Sequence, residues 1–259
     1  MTLRQFPILL IALTSFSLTA SSQARYDYKQ TATETIGRGV VAVRDNDKVI
    51  VSWRTLMSDK PGEAFNVFRN GRQLNEKPLK TGGTFFVDEK PLTGEAATYE
   101  VRGATIGGSF TLSADAPSGY FALKLDKPEG GTTPDGRPFA YHANDASVAD
   151  VDGDGNYEII LKWDPSNSRD NSHDGFTGQT IFDCYKLVGD ANGVSSRRLW
   201  RIEMGRNIRS GAHYVPFIVY DLDGDGKAEF IVKTADGTRD GLGNIIGDSL
   251  ADFREGVEQ

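Results

Sequence analysis

Between residues 40 and 102 the chain alternates apolar and polar positions in short runs, broken at close intervals by turn formers. Val40–Val43 and Val49–Trp53 flank the turn Asp45-Asn46-Asp47. Ala64–Arg69 leads into Asn70-Gly71, and Thr84–Asp88 and Thr98–Arg102 follow. A period of two with turns this frequent predicts an antiparallel sandwich of fibronectin type III style, with Trp53 buried inside it. Pro117-Ser118-Gly119 and the stretch from Gly130 to Gly136 mark its end, so we assign residues 25–118 to the sandwich and 119–259 to a second domain. The first region carries no acid–base pair and no metal cluster, and reads as a spacer or packing domain.

The second region repeats itself. Residues 146–150, 158–164, 181–188, 199–202, 217–221 and 229–234 read as strands, and the aspartates opening its two acidic phrases, Asp150 and Asp221, stand 71 positions apart. About four strands fall in each repeat, which is the unit of a propeller blade. Such a unit cannot bury its faces alone and needs neighbours. Residues 140–259 hold about one and a half to two repeats, whereas closed propellers usually take roughly four to eight blades. We therefore expect an all-β chain, a sandwich followed by the truncated front of a β-propeller, belonging to a longer protein.

The acidic phrases are Asp150-Val-Asp152-Gly153-Asp154-Gly155-Asn156-Tyr-Glu158 and Asp221-Leu-Asp223-Gly224-Asp225-Gly226-Lys227-Ala-Glu229. Four carboxylates in nine residues repel one another unless a cation sits among them, and Ca²⁺, with roughly six to eight oxygen ligands in flexible geometry, suits the set. Side chains at positions one, three, five and nine would ligate, together with the backbone carbonyls of Asn156 and Lys227 at position seven. Glycines at positions four and six permit the positive φ that such a wrap needs. An EF-hand is excluded: its closing glutamate would fall at Leu161 and Val232, and strand-like runs, not helices, flank each loop. An ordinary Asp/Gly-rich turn is the plain alternative, and the repetition argues against it.

The N-terminus reads as a cleavable export signal, with Arg4, the apolar run Ile8–Ala20 and the small-x-small site Ser22-Gln23-Ala24. We expect residues 1–24 to be removed and the protein to be secreted or periplasmic, with no membrane span. Without that segment the chain keeps 28 basic against 36 acidic residues, a balance that argues against a nucleic-acid partner. The single cysteine, Cys184, cannot form an internal disulfide and reads as a buried strand thiol.

Further candidates surround the loops. Asp164, Asp174 and Asp236, with Asn144, Asp145, Asn171 and Asp240, could ligate additional Ca²⁺ or simply cap turns. His142, Lys162, Arg209, His213 and Lys233 could face a substrate groove, a guanidinium suiting a carboxylate, or could hydrogen-bond within and between blades. His173 reads as solvated. No Ser/His/Asp triad, zinc spacing or phosphate loop is present in the sequence.

Residues 141–168, Tyr141-His-Ala-Asn-Asp through the first acidic phrase to Lys162-Trp-Asp-Pro-Ser-Asn-Ser168, resemble the rhamnogalacturonan lyases of polysaccharide lyase family eleven. So do Asn207-Ile-Arg-Ser-Gly-Ala-His213, the second phrase, and Lys233-Thr-Ala-Asp-Gly-Thr238. Gly37–Val43, Val51–Arg54 and Phe65–Gly71 look like the β-sandwich preceding that family's catalytic domain. The resemblance implies an eight-bladed, calcium-studded β-propeller, monomeric as the complete protein. It would cut rhamnogalacturonan I, a pectin backbone, by β-elimination, with calcium as cofactor and an acidic polysaccharide as partner. It assigns no catalytic base or acid within this chain, and it implies that this stretch is inactive alone. Two other readings are a glycoside hydrolase with paired carboxylates and a non-catalytic, calcium-stabilised binding or adhesion propeller.

Overall fold

The structure is a computed structural model that describes residues 36–80, 83–104 and 106–254. The expected export signal, residues 1–24, lies outside the described residues. Every regular element described is a strand, as the alternation predicts, and no helix among the described residues is long and apolar enough to cross a membrane.

The first seven strands are β1 (Val41–Asp45), β2 (Lys48–Ser52), β3 (Asn66–Arg69), β4 (Arg72–Gln73), β5 (Phe85–Asp88), β6 (Ala97–Arg102) and β7 (Gly107–Leu112). They form a three-stranded sheet, β1-β2-β5, and a four-stranded sheet, β4-β3-β6-β7. In β2, Val49 and Val51 point inward and are buried while Ile50 points out, the period-two pattern of a half-buried strand. Asn70 and Gly71 take φ values of 48° and 79°, the left-handed pair that a two-residue type I′ hairpin needs. Ala42, Val49, Val51 and Trp53 meet Phe65, Val67, Tyr99, Val101, Phe110 and Leu112 in one core, and Trp53 lies 5.6 Å from Phe65, centroid to centroid.

The second region begins with the short hairpin β8 (Gly131–Thr132) and β9 (Pro138–Phe139). A four-stranded antiparallel meander follows: β10 (Tyr141–Ala149), β11 (Glu158–Pro165), β12 (Ile181–Asp190) and β13 (Gly193–Glu203). β11 is buried along nearly its whole length, on both faces. Tyr141, Leu161, Trp163, Ile181 and Tyr185 fill one side. On the other, Phe182 stands 5.0 Å from Phe217 and 5.1 Å from Phe230, ring to ring. Those two rings belong to the next hairpin, β14 (Phe217–Tyr220) with β15 (Glu229–Val232). The neighbour thus covers what the meander cannot bury by itself. Two short strands, β16 (Thr238–Arg239) and β17 (Ile245–Ile246), turn back and extend the meander's edge through Glu203 paired with Arg239, making a six-stranded sheet.

Candidate metal centre

Each acidic phrase is the loop of a β-hairpin. Ala149 pairs with Glu158 at the neck of the first, and Tyr220 with Glu229 at the neck of the second. The opening aspartate organises each loop. Asp150 accepts from the backbone N–H groups of Gly153 (2.7 Å) and Asp154 (3.1 Å) on Oδ1 and of Gly155 (2.7 Å) on Oδ2. Asp221 does the same with Gly224 (2.8 Å), Asp225 (3.1 Å) and Gly226 (2.9 Å). Each closing glutamate reaches back to the second loop residue: Glu158 accepts from Val151 N–H at 3.0 Å and Glu229 from Leu222 N–H at 2.8 Å. Gly153, Gly155, Gly224 and Gly226 have φ of 78°, 85°, 75° and 90°, as the wrap requires.

The carboxylates converge. Oxygens of Asp150, Asp152 and Glu158 lie within 4.8 Å of one another, as do those of Asp221, Asp223 and Asp225. Glu158 is fully buried and its Oε1 has no hydrogen-bond partner, an arrangement that is costly unless a cation meets it. Burial, reinforced by Asp152 and Asp154, pushes its carboxyl above the ordinary value. These all-oxygen sets could hold a hard divalent cation. In the first loop the position facing Asp152, Asp154 and Glu158 is shared with the Lys186 ammonium, which contacts Asp152, lies 2.7 Å from Asp154 Oδ2 and 3.7 Å from Glu158 Oε1. Asp154 accordingly sits below its usual value: burial raises it, but the bond from Lys186 and the N–H of Asn156 lower it more.

The first loop is clasped on two sides. Gly37 N–H donates to Gly155 C=O at 2.5 Å, and the Arg54 guanidinium stacks 4.6 Å from the Tyr157 ring centroid, tying the loop to the sandwich. Ala228 N–H, in the second loop, donates to Asp150 C=O at 2.8 Å. The two acidic hairpins are therefore neighbours in space as well as repeats in sequence.

The other candidates spread out. Asp164 is buried, accepts from Ser168 Oγ at 2.6 Å, leaves Oδ1 without a partner and lies 3.6 Å from His142 Nε2. Asp236 Oδ1 accepts from Asp248 N–H at 2.9 Å, and Asp240 Oδ1 caps a turn through Leu242 and Asn244. Asp174 lines a cavity of about 610 Å³ with Arg209, Phe176 and Phe253. None of Asp164, Asp174 and Asp236 joins a three-carboxylate cluster among the described residues. Arg209 donates to the carbonyls of Arg169, Asp170, His173 and Gly175, so its guanidinium organises the 169–175 loop. His142 and Lys233 are exposed, and His213 borders an open cleft with Arg169 and His173.

Sequence reasoning passed over one lysine, Lys186. It is the lone cation inside the apolar run 181–188, and that placement is the signal that could have found it. Lys162 is buried, and its ammonium donates to Tyr214 C=O at 2.6 Å, lying 3.9 Å from Asp145. Desolvation lowers its pKa, partly offset by Asp164 and Asp145. The next residue along, Val215, has φ of 57°, a conformation that β-branched residues rarely adopt, so Lys162 fastens a strained turn beside His213.

A sandwich joined to repeated, acid-looped hairpins defines an all-β architecture. The model described as "Rhamnogalacturonan lyase family 11, C-terminal domain" matches residues 120–258, and "Rhamnogalacturonan I lyases beta-sheet domain" matches residues 31–117. The chain belongs to rhamnogalacturonan lyase family 11. It is 52% identical over 225 residues to the rhamnogalacturonan endolyase YesW of Bacillus subtilis, covering 85% of this chain and 34% of YesW. It is 50% identical over 229 residues to the exolyase YesX of the same organism, covering 87% and 36%. The crystal structure of YesW superposes with a TM-score of 0.74 at 48% identity, covering 87% of this chain and 37% of that one. The Bacillus licheniformis lyase does so with 0.74 at 46%, covering 87% and 38%. The chain thus spans about a third of the length of these relatives.

Proposed function

We propose that this chain is the sandwich and opening blades of a secreted, calcium-dependent rhamnogalacturonan lyase that acts as a monomer on the rhamnogalacturonan I backbone. The observation that carries this reading is the family match across residues 31–258, joined to two acid-lined hairpins whose all-oxygen donor sets suit Ca²⁺. In β-elimination a base takes the C5 proton of a galacturonate, and the C4–O bond breaks. The leaving oxygen takes a proton, and a C4=C5 double bond remains. A uronate carboxylate must be neutralised for that proton to become acidic, and bound calcium supplies positive charge of that kind.

Within this chain the loops fix the β10–β11 and β14–β15 hairpins, and His142 on β10, with His213 and Lys233 in the segments flanking β14 and β15, faces solvent, where an acidic polysaccharide can reach them. Arg209 and Lys162 act one step back, holding backbone carbonyls so that the 169–175 and 211–215 loops keep their shape. We place the base and acid of the reaction in the complete protein and assign neither to a residue here.

The product of the complete gene, incubated with rhamnogalacturonan I, should generate ultraviolet absorbance from the unsaturated uronate. New reducing ends without that absorbance would mean a hydrolase. Binding without either would mean an adhesion or carbohydrate-binding propeller. Export is tested on the secreted product, whose N-terminal residue should fall near Arg25.

A further inference from the structure

The two acidic loops share a backbone but differ in what neutralises them. At the first, Lys186 reaches across from β12 and its ammonium contacts Asp152, Asp154 and Glu158. It is a largely sheltered side chain, 16% exposed. Lys186 makes no ion pair with Asp150, whose oxygens accept from three loop N–H groups. The buried Glu158 Oε1, without a hydrogen bond, marks the point that a fuller positive charge would occupy. At the second loop, no Lys, Arg or His ion pair reaches Asp221, Asp223, Asp225 or Glu229 among the described residues.

An ammonium brings one charge and three donors. A calcium ion brings two charges and gathers oxygens at short range. Both are drawn to the same oxygens of Asp152, Asp154 and Glu158, and two cations packed among them repel each other. The lysine is covalently tethered and always at hand, whereas the ion has to be captured from solution.

We propose that Lys186 is a built-in competitor for the metal of the first loop. Its ammonium neutralises the loop when calcium is scarce and swings aside when the ion enters, so the first loop binds calcium more weakly than the second. The inference rests on the calcium reading of both loops and adds an order of filling to it. The second loop fills first, and the first responds to higher calcium.

The test is a calorimetric titration of the full chain, stripped with chelator, with CaCl₂ alone. The wild type should show two classes of site, and Asp221→Asn should abolish the tighter one. Lys186→Met should tighten the weaker class by about tenfold or more and leave the tighter class unchanged. Lys186→Arg, which keeps the charge, should stay weak. In chelator Lys186→Met should melt below wild type, and in saturating calcium that gap should close. Should the Met variant not fold, Lys186→Gln repeats the titration with a neutral donor. Unchanged affinity of the first loop on removal of the charge would overturn the proposal while leaving the calcium reading intact. No calcium uptake by any variant would instead overturn the calcium reading.

Discussion

The two acidic hairpins are a controlled pair. They share nine-residue phrasing, the same neck register, the same three N–H groups on the opening aspartate and the same glycine conformations. Their surroundings diverge. In the first, Asp150 and Glu158 are 1% and 0% exposed, the sandwich docks on Gly155 and Tyr157, and Lys186 neutralises the rim. In the second, Asp221 and Glu229 are half-buried, Asp223 and Asp225 are exposed, and Tyr220 and Leu222 stand in solvent. Local sequence therefore writes the loop backbone, whereas burial and charge compensation are written by whatever packs against it. One loop is a buried, charge-compensated joint and the other an open cluster of carboxylates.

The largest contrast should come from removing the opening aspartates. Asp150→Ala removes a buried carboxylate and strands the buried Gly155 amide with those of Gly153 and Asp154, and should cost about 3–5 kcal/mol, while Asp221→Ala, with water at hand, should cost about 1–2 kcal/mol. Urea unfolding of the metal-free chain reads both, and equal losses would erase the distinction between the loops. Next in size is Phe182→Ala, which empties the aromatic contact between the meander and the β14–β15 hairpin and should cost about 3–4 kcal/mol. Amide exchange should then speed up in residues 217–232 more than in 141–165. Uniform loosening would mean that the hairpin is held elsewhere.

A smaller effect separates the sandwich from the loops. Asp59 is held below the ordinary carboxylate value, first by the hydrogen bonds from Arg38, with burial opposing and the Leu56 N–H assisting. A depressed carboxyl stabilises the fold above its unfolded value, about 3.9, and that contribution is lost as pH falls through the lower folded value. Asp59→Asn should thus lower the melting temperature at pH 7, and the gap to wild type should narrow below about pH 3.9. A gap constant with pH would break the assignment. Smallest of all is the response of Cys184. It is buried beside Ile160, and desolvation first, then the charges of Glu158 and Asp152, push its thiol up to about 12. Thiol labelling should be slow, and chelator should barely quicken it in the wild type, because Lys186 holds the loop when metal is withdrawn.

Much of this was legible in the residues. The alternation gave the sandwich strands, Asn70-Gly71 its hairpin, and the glycines of the acidic phrases their positive φ. Cys184 is buried as expected. What stayed hidden depends on contacts distant in sequence. The runs 181–188 and 199–202 are really one long hairpin, 181–190 with 193–203, bulged between Cys184 and Tyr185. β7 begins with two glycines, poor strand formers, and went unmarked. β16 and β17 return to the edge of the β10–β13 meander, because pairing across many residues is decided by packing and not by propensity. The expectation for Arg209 kept a groove and a hydrogen-bonding role open, and four backbone carbonyls now occupy it. Lys162 and Lys233 occupy matching places just after the two phrases, yet one is buried and the other exposed, for the same reason that the loops differ.

The most direct measurement is a crystal structure of the protein grown with ample Ca²⁺, with anomalous difference maps calculated at both loops. The account predicts a peak inside each, ringed by oxygens at about 2.3–2.6 Å, with the Lys186 amine displaced from Asp154 and Glu158. Water alone at both positions, with Lys186 unmoved, would contradict it.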